Sequence, residues 1–142
     1  MRPAHPKIGL LELVAVGAGG AMGALGRVGL EQAWPSAAGS WPWATFAVNI
    51  AGALALGALM AALRRRGSIS IPAYRLLGTG FCGALTTFST MQIELLQMLD
   101  RARYGLALGY ASASVVVGYA GVSLAAKLIG RRTVITAAEA QA

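Results

Sequence analysis

Polar residues fall in narrow clusters along this chain, and long apolar runs fill the space between them. The runs cover about residues 8–34, 43–63, 72–99 and 104–129, each 21 to 28 residues long. A helix needs about 20 apolar residues to cross a ~30 Å hydrocarbon core. The pattern predicts an all-α membrane protein, one domain over residues 1–142, with four transmembrane helices. Connections are short: a Pro/Ser/Gly turn at 35–42, a basic loop at 64–71 and a polar hairpin at 100–103. Trp34, Trp41, Trp43, Tyr74 and Tyr104 fall near run ends, where amphipathic rings favour the membrane interface. Residues 131–142 read as a polar, alanine-rich, mobile tail.

The third run departs from a plain membrane helix. Gly83-Ala84-Leu85-Thr86-Thr87-Phe88-Ser89-Thr90-Met91 lies halfway along it. As one straight helix the run would span about 42 Å at 1.5 Å per residue. A glycine beside two threonines is poor helix material, so a break is expected near 83–87, at mid-membrane. A break in lipid frees backbone groups that cost several kcal/mol each unless something polar meets them. Such interruptions mark ion or substrate sites. The first half-helix would end in carbonyls that suit a cation, and the second would begin with amides that suit an anion. Beyond the break, Thr86, Thr90 and Glu94 form an i, i+4 row, with Phe88 and Met91 on an adjacent face. A Gly/Thr kink that merely packs is the alternative.

In the second run Thr45 and Asn49 share a face, and Asn49 sits about 6 Å from the middle by helical rise. An amide there either donates to an anion or joins two helices. In the fourth run Tyr110, Ser114 and Gly118 make a weak polar stripe, while Ser112 points away and is expected to bond its own helix. The first run contains a Gly19/Gly23 pair that permits close helix contact. Arg27 lies about 10 Å inside the Trp34 end, so it must snorkel, face water or pair, with Glu31 four residues on as a candidate partner.

Composition narrows the function classes. Hydrophobic residues make up 56% and charged residues 12%, half or less of the ~25% charge of soluble domains, with mean hydropathy +0.62. Cys82 is the single cysteine and His5 the single histidine, so neither an internal disulfide nor a Cys/His catalytic pair is expected in the membrane region. No enzyme reading follows. The first run is too long for a cleaved leader and is read as a retained helix. The net charge of +7 sits at run ends, as in Arg64-Arg65-Arg66 and Arg131-Arg132, which suits anionic lipid rather than nucleic acid. Nine cations (Arg2, Lys7, Arg64, Arg65, Arg66, Arg75, Lys127, Arg131 and Arg132) fall on one side and three (Arg27, Arg101 and Arg103) on the other. That bias predicts both termini in the cytoplasm.

Together these features resemble the Fluc/CrcB family of fluoride channels. The strings are Gly19-Gly20-x-x-Gly23-Ala24-x-x-Arg27, Thr45-x-x-x-Asn49-x-x-Gly52 and, most specific, Gly80-Phe81-Cys82-Gly83-x-x-Thr86-Thr87-Phe88-Ser89-Thr90-x-x-x-Glu94. The resemblance covers all four runs. It implies a passive fluoride channel in the plasma membrane of a prokaryote, built as an antiparallel dimer with two pores. It further implies a structural sodium ion (Na+) at the dimer centre, held by the carbonyls of Gly83 and Thr86. Asn49, Phe88, Ser89, Thr90, Tyr110 and Ser114 match pore-lining positions, and Arg27 and Glu94 match vestibule positions.

Met91 replaces the second phenylalanine of the family's pair, and Gly118 stands where some members have serine. A thioether lacks the positive ring edge that a phenyl group offers an anion, so Met91 is expected to alter rate and selectivity. The nine-to-three charge bias sits awkwardly with chains inserted both ways. It favours pairing with an oppositely oriented paralogue over pairing with itself. The rival reading is a small proton-coupled exporter of organic cations. That chemistry needs a carboxylate deep in the first helix, whereas Glu12 lies about four residues in.

Overall fold

A computed structural model describes residues 9–66 and 70–139, with side chains as far as Leu63 and from Ser70 to Ile129. Arg2, His5, Lys7, residues 67–69 of the basic loop and the last three residues lie outside that range, as do the side chains of Arg64, Arg65, Arg66, Arg131 and Arg132. Among the described residues every regular element is helical.

Helix α1 runs Leu10–Ala33 and α2 runs Trp43–Arg66. The third run is composite: α3 at Ile71–Tyr74, a π-helical stretch at Arg75–Cys82, and α4 at Gly83–Leu85. Thr86 and Thr87 are extended, and α5 then runs Phe88–Asp100. Helix α6 runs Tyr104–Glu139. It continues about 15 Å beyond residue 129, where hydropathy ended the fourth run. The segment read as a mobile tail is thus helical to Glu139. Three helices are long and apolar enough to cross a membrane: Leu10–Ala33, Trp43–Leu63 and Tyr104–Ile129.

The elements pair closely in twos. Helix α1 lies against the π stretch and α4, while α2 lies along α6. Glycine decides the first contact. A Cβ at Gly19 would overlap the Leu76 carbonyl, and one at Gly23 would overlap that of Phe81. The glycine pair therefore meets the third run's backbone directly, as expected of small residues at membrane-helix contacts. The π stretch has no signature in the hydropathy pattern.

Helix α5 packs on α6, and their junction holds the core: Met98, Ala107 and Tyr110, with Trp41, Phe46, Met91, Leu95 and Leu106 against them. Trp41 meets Tyr110 edge to face at 5.4 Å and Phe46 at 5.6 Å, so this ring belongs to the core rather than to an interfacial belt. Trp34 and Trp43 stack at 6.5 Å and are both exposed. The outer surface is apolar, with Leu10, Leu13, Met22 and Leu25 on α1 and Leu108, Val115, Val116 and Tyr119 on α6 all exposed. Such a surface suits lipid.

Candidate functional site

The break is two residues wide and fully built. Thr86 adopts φ −79°, ψ 151° and Thr87 φ −144°, ψ 124°, extended conformations that β-branched side chains tolerate well. Thr86 turns back on the helix it ends: its amide and its hydroxyl both donate to the Cys82 carbonyl, at 3.2 and 3.0 Å. The expected row of Thr86, Thr90 and Glu94 is therefore interrupted. Thr86 lies outside α5, and only Thr90 and Glu94 keep the spacing. Thr87 caps α5: its hydroxyl oxygen accepts the Thr90 amide at 3.2 Å, and the hydroxyl donates to Thr90 Oγ1 at 3.0 Å. Ser89 Oγ lies 3.3 Å from the same oxygen.

Asn49 holds the break from α2. Its Nδ2 donates to the Thr87 carbonyl at 3.0 Å, and its Oδ1 accepts the Thr87 amide at 2.8 Å. In an unbroken helix the Thr87 amide would have gone to Gly83 and the Thr90 amide to Thr86. Both are diverted, so the carbonyls of Gly83 and Thr86 lose their helical donors. The next carbonyl, Ala84, accepts from Arg27 Nε at 3.3 Å. Arg27 Nη1 also lies 3.4 Å from Glu31 Oε1, the pairing that the i, i+4 spacing suggested. A cation thus sits at the carbonyl end of the helical run 71–85.

Glu94 gathers a second cluster. Thr45 Oγ1 donates to its Oε1 at 2.5 Å, and Tyr110 OH donates to its Oε2 at 2.8 Å. Tyr110 is 0% exposed, and its hydroxyl is fully committed to the carboxylate. Ser114 Oγ donates to the Tyr110 carbonyl at 2.8 Å, and Ser112 bonds the carbonyls of its own helix as expected.

Two hollows adjoin these clusters. One, of about 430 Å³, is lined by Asn49, Gly83, Thr86, Thr87, Phe88, Met91, Ser114 and Gly118 among others. The other, of about 260 Å³, is lined by Glu31, Ser40, Thr45, Thr90, Glu94 and Gln97 among others. Thr87 faces the first and Thr90 the second, so the 3.0 Å hydroxyl contact between them joins the two. Of the sequence-predicted positions, Asn49, Phe88, Met91, Ser114, Gly83 and Thr86 meet at the larger hollow, and Thr90 and Glu94 at the smaller. Ser89 lies beside Thr87, Arg27 at the end of α4 and Tyr110 behind Glu94. Phe88 is 69% exposed, which leaves the larger hollow without an outer wall in the single chain.

Thr87 and Thr45 carry more of this geometry than the sequence indicated. Thr87 was readable as the hydroxyl residue just before an apolar run, the usual sign of a helix cap. Thr45 was readable only as a neighbour of Asn49, because its carboxylate partner is 49 residues away.

A family model described as CrcB-like protein, Camphor Resistance (CrcB), matches residues 14–126. The chain belongs to the CrcB-like family. It is 50% identical over 120 residues to the fluoride-specific ion channel FluC 1 of Mycolicibacterium paratuberculosis, covering 84% of this chain and 91% of that protein. It is 40% identical over 126 residues to the fluoride-specific ion channel FluC of a Caulobacter species (strain K31), covering 87% and 97%. FluC 2 of Nocardia farcinica, also called a fluoride-specific ion channel, is 39% identical over 126 residues, covering 86% and 84%. The CrcB-like match takes in every residue of both hydrogen-bonded clusters.

Proposed function

We propose that this chain is a subunit of a fluoride-selective channel in the plasma membrane of a bacterium, letting the anion leave the cytoplasm down its electrochemical gradient. The observation that carries the reading is the Asn49-bound, two-residue break, with hydroxyls and a helix N-terminus beside it. Fluoride is small and strongly hydrated, so a narrow path must replace its water with donors. The second hydrogen on Asn49 Nδ2 and the ring edge of Phe88 supply candidates at the larger hollow, the Thr90 hydroxyl supplies one at the smaller, and Ser89 beside Thr87 lies between them. Chloride is larger and would be rejected by width and by donor reach. Met91 would line the same path.

In this reading the chain is one four-helix domain, and the composite third run spans the membrane with its break near the middle. The open side of the larger hollow and the exposed Phe88 are what an antiparallel dimer would cover. The charge bias along the sequence favours termini in the cytoplasm and an oppositely oriented paralogue as partner. Sodium fits the donor set: the carbonyls of Gly83 and Thr86, stripped of their helical donors, are uncharged oxygens of the kind hard cations take. Among the described residues no group of three or more His, Cys, Asp or Glu could hold a metal instead. A bound sodium ion would neutralise partial charge that the break leaves on these carbonyls.

The exporter reading gains nothing. Glu12 lies 3.3 Å from Arg75 Nε, tied to a cation near the end of its helix rather than exposed deep within the bundle.

Purified protein in liposomes loaded with fluoride or chloride, with sodium present or replaced, tests the proposal. Fluoride should leave and chloride stay, and removing sodium should lower the fluoride rate. Equal release of both anions, or release of neither, overturns it.

A further inference from the structure

The smaller hollow presents an electrostatic difficulty for an anion. Its lining includes two carboxylates, Glu31 and Glu94, and no cationic side chain. Arg27 offsets Glu31, its ion-pair partner, and its Nε is spent on the Ala84 carbonyl, so the charge of Glu94 is left without a cationic partner among the described residues. Arg101, in the turn between α5 and α6, is held differently. Its Nη1 donates to the Gln97 carbonyl at 3.2 Å. Its aliphatic stem lies over Gly39, where a Cβ would come 2.5 Å from Arg101 Cδ. Gly39 has φ +75°, a conformation that glycine adopts without strain, so this loop both bends and makes room for the arginine. Gly39 and Gln97 each line the smaller hollow. The guanidinium is therefore fixed at its rim, exposed, and without an ion pair among the described residues. Asp100 and Arg103, the other charged residues of the turn, are exposed and opposite in sign.

We propose that Arg101 is the attracting charge at the mouth of the ion path: a guanidinium braced on Gly39 and Gln97 that draws the anion in past Glu31 and Glu94. This rests on the channel reading above. Low-dielectric clefts focus such charge and raise the local concentration of an oppositely charged ion. Arg101 acts on arrival and not on passage through the break, so its effect depends on ionic strength.

Initial fluoride efflux from neutral-lipid liposomes, at sub-saturating fluoride, is compared for native protein, Arg101→Gln and Arg101→Lys. An impermeant salt sets the ionic strength near 0.01 M or near 1 M, which shortens screening from ~30 Å to ~3 Å. Arg101→Gln should be slower by about threefold or more at low ionic strength, Arg101→Lys close to native, and all three alike at high ionic strength. A Gln variant equal to native at low ionic strength overturns the proposal. So does one slowed equally under both conditions, which would make Arg101 a brace, or a Lys variant slowed as much as the Gln one. Should Arg101→Gln not fold, Arg101→Met is read in its place with the same expectations, and a native rate that does not change between the two conditions also refutes the role. Native protein that passes no fluoride at all overturns the channel reading itself.

Discussion

Asn49 and Thr87 exchange two hydrogen bonds, Nδ2 to carbonyl at 3.0 Å and amide to Oδ1 at 2.8 Å. A side-chain amide thereby plays the part that a neighbouring strand plays in a sheet ladder, satisfying both backbone groups of one extended residue. Without it, an extended residue between two helices inside a membrane would leave a donor and an acceptor unmet.

Asn49→Ala should remove both bonds and destabilise the protein by about 2 kcal/mol or more, at ~1–3 kcal/mol for each unsatisfied group. Asn49→Asp retains the acceptor for the Thr87 amide but has no donor for its carbonyl. Fluoride efflux should be lost in the alanine variant, and thermal unfolding in detergent should show its lower stability. Native stability in Asn49→Ala would refute the bracing role.

Gly52 gives Thr86 its place, since a Cβ there would overlap Thr86 Cγ2. Alanine improves helix propensity by ~1 kcal/mol, whereas overpacking costs about 1–3 kcal/mol, so Gly52→Ala should come out destabilised or neutral at best. Thr86→Ser removes the offending methyl. The double variant Gly52→Ala/Thr86→Ser should recover most of the loss in a thermal melt, and simple additivity of the two changes would refute the contact.

Tyr110 and Thr45 converge on Glu94, and a double-mutant cycle reads the strength of that coupling. Tyr110→Phe alone should cost about 1.5–3 kcal/mol, the range for losing a hydrogen bond to a charged group. Made in a Glu94→Ala background it should cost clearly less, with a coupling of roughly 0.5–3 kcal/mol. No coupling between the two positions would show that the 2.8 Å contact contributes nothing in the membrane.

Met91 lines the larger hollow beside Phe88. Met91→Phe restores an aromatic edge and should change the fluoride rate, the fluoride-to-chloride ratio, or both. Phenylalanine is the larger and stiffer side chain and Met91 also packs on the Met98–Tyr110 core, so the swap should cost no more than the roughly 1–3 kcal/mol of added core volume. Identical transport in both proteins would remove any role for this position.

Much of the molecule was legible along the chain, for reasons that differ by residue. The runs became α1, α2 and α6 because apolar length dictates helix when the solvent is lipid. The run containing Thr86 and Thr87 broke where two β-branched residues follow a glycine. The Arg27–Glu31 pair was accessible because four residues of spacing places two side chains on one face of a helix. The 36-residue length of α6 was not legible, since hydropathy measures solvent preference and does not report where a helix ends.

What the chain's own order determined is local: which stretches are apolar enough to become helices, where one of them must stop, and which residues share a face within a turn or two. The pairing of Asn49 with Thr87, the convergence of Thr45 and Tyr110 on Glu94, and the seating of Arg101 on Gly39 were decided by tertiary structure alone. Each joins groups separated by 16 to 62 positions along the chain. Hydrogen bonds and close packing depend on orientation within fractions of an ångström, and no periodicity along a sequence encodes how one helix is turned toward another.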